Sequence, residues 1–81
     1  MNNFKYESGE KVEAGDTILF HGEPGTVLFV VIQKTGDAAL DWYLEQWPSG
    51  GFMIETEGCG RVFRTESPDE DFVLVSKRHA G

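Results

Sequence analysis

Apolar residues along this chain come in short runs separated by glycine, proline and acidic residues. Thr17-Ile18-Leu19-Phe20 is β-branched and aromatic, follows Gly15-Asp16, and reads as a strand. Glu23-Pro24-Gly25-Thr26 has type II turn chemistry, because proline presets the first central φ and glycine accepts the positive φ after it. Residues 27–32 (Val-Leu-Phe-Val-Val-Ile) form six consecutive apolar positions between turn signals, the pattern of a strand that is apolar on both faces. A one-layer sheet would leave one of those faces in water. The strand therefore calls for a closed barrel with an insertion over it, or for a second chain.

Residues 33–50 carry two rival patterns. Leu40, Tyr43, Leu44 and Trp47 fall at i, i+3, i+4 and i+7, the helical template, with Asp37 as a cap and Pro48 as a stop. The aromatic stretch from Trp42 to Trp47 reads equally well as a strand. On either reading the segment is a candidate cover for residues 27–32. Beyond the break Pro48-Ser49-Gly50-Gly51, residues 52–56 read as a strand, Glu57-Gly58-Cys59-Gly60 as a hairpin turn and residues 61–65 as the returning strand. Ser67-Pro68-Asp69-Glu70 is a type I turn pattern and residues 71–76 a last strand. Phe4 and Tyr6, at alternate positions, predict either a short edge strand or a loosely held arm over residues 1–14; residues 77–81 predict a frayed tail. Five or six short strands with turn chemistry between them predict a mainly β domain, a small antiparallel barrel or sandwich. Closure would also remove exposed strand edges.

At 81 residues the chain is a single small domain. Leu, Ile, Val and Phe make up 21 residues, enough to fold despite a formal charge of −7. That charge repels nucleic acid and anionic lipid and favours a basic protein partner. No apolar run approaches the ~20 residues that span a bilayer, and the first residues lack the pattern of a signal peptide. Cys59 is the single cysteine, so no internal disulfide forms and a reducing, cytoplasmic setting is expected. Residues 34–60 hold one basic and five acidic residues together with both tryptophans, whereas residues 61–81 balance four basic against four acidic.

Gly15-Asp16-Thr17-Ile18-Leu19-Phe20, followed by Gly22-Glu23-Pro24-Gly25-Thr26-Val27, resembles the opening of KOW-type SH3-like small barrels. The resemblance implies a five-stranded barrel that binds RNA or protein through its loops. The charge departs from that of the RNA-binding members, since Lys5, Lys11, Lys34 and Lys77 are scattered and the turn carries Glu23. The order of Asp41 to Gln46, Gly50 to Ile54, Gly60 to Phe63 and Glu70 to Val73 resembles small bacterial proteins, some similar to immunity proteins encoded beside secreted toxins. That likeness implies a cytoplasmic inhibitor acting by occlusion.

Little in the chain points to catalysis. Cys59 sits between two glycines, distant in sequence from His21 and His79, and reads as a turn residue. One cysteine and two histidines match no zinc spacing, and Asp69-Glu70-Asp71 lacks the alternating donors of a calcium loop. No metal, cofactor or catalytic residue is expected. The stronger pattern is Trp42, Tyr43 and Trp47 among Asp37, Asp41, Glu45, Glu55 and Glu57. An aromatic centre with an acidic rim suits a basic protein surface. The competing reading places both tryptophans against residues 27–32, with the acids serving solubility.

Together these features predict an SH3-like barrel with residues 34–50 as an elaborated connection. It is read as a non-enzymatic acidic protein-binding module, most concretely an immunity-type inhibitor. The alternative is a KOW-like accessory of transcription or translation machinery. A homodimer burying the second face of residues 27–32 is compatible with either.

Overall fold

The structure, a computed structural model, describes residues 4–77. It is mainly β, with five antiparallel strands in one sheet and one short helix. The strands are β1 (Thr17–Phe20), β2 (Glu23–Val31), β3 (Gly51–Thr56), β4 (Gly60–Arg64) and β5 (Phe72–Ser76), and helix α1 (Ala38–Gln46) lies between β2 and β3. The sheet order is β4-β3-β2-β1-β5.

The expected turn at Glu23-Pro24-Gly25-Thr26 is instead the start of β2. The chain reverses at His21 and Gly22, whose φ values of 51° and 81° are the two positive φ angles of a type I′ hairpin. Phe20 faces Glu23 across that turn. Pro24 faces Leu19 before the β2–β3 ladder begins at Gly25, so its missing N–H removes no bond between β2 and β3. The Glu57-Gly58-Cys59 turn is where the sequence placed it, with Thr56 opposite Gly60 and the Cys59 N–H donating to Thr56 Oγ1 at 3.0 Å. The turn before β5 lies two residues later than its sequence pattern, closed by the Phe72 N–H on the Asp69 carbonyl at 3.1 Å.

Closure of the sheet, expected from the edge-strand argument, is not observed. Among the described residues no ladder joins β4 to β5. Side chains span the gap instead. The Arg64 guanidinium from β4 lies 5.2 Å from the Phe20 ring centre and 6.0 Å from that of Phe72. Curling also brings Phe52 of β3 to within 5.7 Å of Phe72 of β5. The bend follows from a register shift in β2 between Val27 and Phe29.

The inner face holds Ile18, Phe20, Val27, Phe52, Ile54 and Phe72, all buried. The arm expected over residues 1–14 is part of this core from Phe4 onward. Phe4, Tyr6 and Val12 are 6%, 3% and 4% exposed, and the bridge between Lys5 and Lys11 turns the charged side chains outward. The inward side chains would otherwise be an apolar hairpin in water, so burial rather than local pairing holds the arm.

A buried carboxylate ties the arm to Lys77, the residue that follows β5. Asp16, fully buried, accepts hydrogen bonds through Oδ2 from the Tyr6 hydroxyl at 2.7 Å, the Glu13 N–H at 2.9 Å and Lys77 Nζ at 3.0 Å. Lys77 also bonds Glu13 Oε1 at 2.9 Å and the Lys11 carbonyl at 2.6 Å. Lys77, expected to begin a frayed tail, is thus anchored; the remainder of that tail lies outside the described residues. Burial, reinforced by Asp16, raises the Tyr6 pKa well above the ordinary phenol value. For Lys77 burial opposes the charge, but the bonds to Glu13 and Asp16 outweigh it and raise the pKa.

Both folded-state values lie above their unfolded counterparts, so their contribution is complete at neutral pH and is lost as pH rises through the folded values. Circular dichroism should therefore show the β signal collapsing in a step above pH ~10, coincident with tyrosinate formation. Tyr6→Phe removes a bond to a buried charge and should lower stability by about 1–3 kcal/mol in urea titration.

Candidate functional site

Helix α1 answers the question of what covers the second face of β2. Asp37 caps it, its side chain accepting from the Ala39 N–H at 2.9 Å, and the Trp47 N–H closes the last turn on the Tyr43 carbonyl at 2.7 Å. Pro48 follows, as the sequence pattern required. The helix is laid on the outer face of β2, β3 and β4 by stacked rings. Tyr43 stacks on Phe63 at 4.7 Å, Trp47 meets Phe63 at 4.9 Å and Phe29 meets Tyr43 at 5.3 Å. A Cβ on Gly51 would stand 2.6 Å from the Phe63 ring, so glycine is what lets Phe63 lie flat across β3 beneath the helix. Val31 and Met53 are buried but lie outside the main core cluster, consistent with a second, smaller core on this outer face.

The docking is shallow. No residue of α1 is fully buried. Trp42 touches Tyr43 and Trp47 edge-on at 5.0 and 6.3 Å and remains 49% exposed, while Trp47 is 40% exposed. The expected packing of both tryptophans on residues 27–32 is not what is observed: Trp47 packs on Tyr43 and on Phe63 of β4, Tyr43 is the ring that meets Phe29, and Trp42 is half exposed. An open groove of about 530 Å³ beside Trp42 is lined by Lys34, Ala38, Asp41, Trp42, Leu44 and Glu45.

The acidic residues play unequal parts. Asp41 folds the preceding loop onto the helix, accepting from the Thr35 N–H at 2.8 Å, its hydroxyl at 3.0 Å and the Gly36 N–H at 3.3 Å. The Thr35 backbone bond is the chief cause holding the Asp41 carboxyl below its usual range. Glu45 is exposed. Glu55 and Glu57 stand apart from this helix group. Thr17, Thr26, Glu55 and Arg61 oppose one another in turn across β1 to β4, forming an exposed polar row that the helix does not reach. Glu55 there takes an Arg61 bond at 3.3 Å, and with Glu57 it lines a separate groove of about 400 Å³ beside Pro24 and Thr26.

Cys59 is exposed, with Sγ 3.5 Å from Glu23 Oε1. His21 lies 3.8 Å from Asp71, and His79 falls outside the described residues. Among the described residues no group of three or more His, Cys, Asp and Glu side chains is placed to hold a metal. No helix there is long and apolar enough to cross a membrane. Comparison with known protein families, curated proteins and solved structures finds no match to this chain. Sequence reasoning missed the Asp16 hub and the loop-binding task of Asp41. Gly15-Asp16 ahead of a strand signalled only the first, and nothing in the spacing distinguished Asp41 from its neighbours.

Asp37→Ala should remove the cap at a loss of about 1 kcal/mol of helix stability, read from helical ellipticity and the melting point. Because the Asp41 pKa is depressed, its hold on the loop is present above the ordinary carboxylate range and fails as pH falls through the folded value. Amide resonances of Thr35 and Gly36 should thus stay fixed in mild acid and move only below pH ~4. Asp41→Asn should displace them already at neutral pH.

Proposed function

We propose that this chain is a protein-docking module that presents α1 to a basic partner. The observation that carries the reading is the half-exposed Trp42 on a capped acidic helix, beside Trp47. Rings with few rotatable bonds supply contact area at low entropic loss, and such residues dominate binding energetics elsewhere. The nearby carboxylates Asp37, Asp41 and Glu45 add a negative field that accelerates encounter with a positive surface. The docking surface is narrower than the sequence pattern implied: it comprises Asp37, Asp41, Trp42, Tyr43, Glu45 and Trp47, without Glu55 and Glu57. Its most concrete form is an immunity-type inhibitor that occludes the working face of its target. The chain's net charge of −7 speaks against phosphate backbones as the ligand.

We also read the fold as an SH3-like barrel left ajar. The meander order β4-β3-β2-β1-β5, the bent β2 and the Arg64 bridge between the free edges support that assignment.

The test is quantitative capture from the native host with three baits: wild type, Trp42→Ala and Trp47→Ala. A basic protein retained by the wild type and lost at least tenfold by Trp42→Ala is expected, its affinity falling as salt rises. Equal recovery on wild-type and Trp42→Ala baits would refute the helix-face reading. Association that is insensitive to salt would refute the electrostatic part.

A further inference from the structure

Helix α1 covers only the part of the outer sheet face around Phe29 and Phe63. Over β5, β1 and the start of β2 the same face carries an apolar row. Ile18 and Phe20 are buried in the inner core, so Leu19 between them points outward. Leu19 stands opposite Val73 on one side and Pro24 on the other. Strands lie about 5 Å apart, so the three side chains are continuous across the sheet. Pro24 is exposed, Leu19 half-buried and Val73 49% exposed. Val75, two residues on from Val73, is the most exposed large apolar side chain among the described residues, at 55%. Single exposed apolar residues are ordinary on a surface, whereas a contiguous group with a polar border is the pattern of a contact site.

The border selects the occupant. Gly25 pairs with Thr56, so the apolar row is followed beyond Pro24 by Glu57, the first residue past β3. Alongside runs the polar row of Thr17, Thr26 and Glu55. The groove of about 400 Å³ lined by Pro24, Thr26, Glu55 and Glu57 thus sets two carboxylates at one end of the apolar row. Asp71, two residues before Val73, borders it at the other end. Against these acids stand Arg61, bonded to Glu55, and His21, 3.8 Å from Asp71. Two copies set face to face would bring the carboxylates together, so the charge opposes a second copy and favours a partner that carries cations. Helix α1, laid on the neighbouring part of this face, shows how an amphipathic helix seats its side chains on outward-facing strand residues. We propose that this part of the outer face is a second docking surface, and that it takes an amphipathic basic helix of a protein partner. Apolar side chains of that helix lie on Val73, Leu19 and Pro24, and a lysine or arginine reaches the groove at Glu55 and Glu57. The apolar row is short, so binding of an isolated helix is modest, with a dissociation constant on the order of 10–100 µM. The surface shares no residue with the α1 docking face, and its failure would leave that reading standing.

The probe is a synthetic amphipathic helix of leucine and lysine, about four turns long, with a leucine–glutamate peptide of the same apolar spacing as its control. Titrated into the wild-type chain, the basic peptide should shift the methyl resonances of Leu19, Val73 and Val75 and saturate in that concentration range. The acidic control should leave them fixed. Val73→Ser and Glu57→Lys should each weaken the response about fivefold or more, with unchanged circular-dichroism spectra. Trp42→Ala should leave the shifts at Val73 and Val75 in place. A response confined to α1, equal binding of the acidic control, or indifference to both Val73→Ser and Glu57→Lys would overturn the proposal. So would sedimentation of the chain alone as a dimer that protects Val73 and Val75, which would assign the face to a second copy.

Discussion

Strand β2 is apolar on both faces, and that constraint organises the molecule. A sheet in a chain of 81 residues can hide one face of a central strand by curling. It cannot hide both. Inside, Val27 and its neighbours Ile54 and Phe52 meet Phe4, Tyr6 and Val12 from the arm. Outside, Phe29 is met by Tyr43, and through Phe63 by Trp47. Beyond the register shift between Val27 and Phe29 the two environments alternate along a single strand, with Phe29 outside and Val30 against the inner core. The two covers differ in depth: the inner one buries its residues almost completely, whereas the outer one leaves α1 without a fully buried side chain. Local opening is expected to follow that difference, with α1 detaching more readily than the arm.

Polar groups complete what the apolar ones begin. The arm is held at its turn back towards β1 by Asp16, whose three donors come from Tyr6, Glu13 and Lys77. Lys77 comes from 61 residues along the chain, so the carboxylate also fixes the residue that follows β5. On the outside, Asp37 and Asp41 do the equivalent work for α1 with exposed bonds to Ala39, Thr35 and Gly36. Acidic residues at this helix are thus partly structural, and only their remaining lone pairs and charge are open to solvent. The same shallowness that leaves α1 loosely held leaves Trp42 available for contact.

Much of this was visible in the residues. The run Val27 to Ile32 announced a strand needing two covers, and the segment that supplies one of them was marked, although the helical spacing of Leu40, Tyr43, Leu44 and Trp47 stood level with a strand reading that the structure removes. Where the reading went wrong, tertiary contacts overrode local chemistry. Pro24-Gly25 looked like a turn because those residues tolerate one, yet the register placed Pro24 beyond the β2–β3 ladder and left the reversal to His21-Gly22. Closure was inferred from the problem of edges; the molecule bridges the gap with Arg64, and among the described residues no strand pairs with the outer side of β5. Phe4 and Tyr6 gave alternation without partners, so their burial could not be foreseen. Of the eight grouped site residues, Glu55 and Glu57 line a groove with Pro24 and Thr26 rather than the one beside Trp42, a division that a count of acids along the chain does not reveal.

The account stands on the claim that stacked rings on the outer face, centred on Phe63, are what seat α1. Phe63→Ala, followed by amide resonances and exchange across the chain, tests that claim directly. The account predicts that residues 38–47 lose protection and both indole signals shift, while Ile18, Ile54 and Phe72 keep native resonances. Unchanged indole signals, or collapse of the inner core together with the helix, would contradict it.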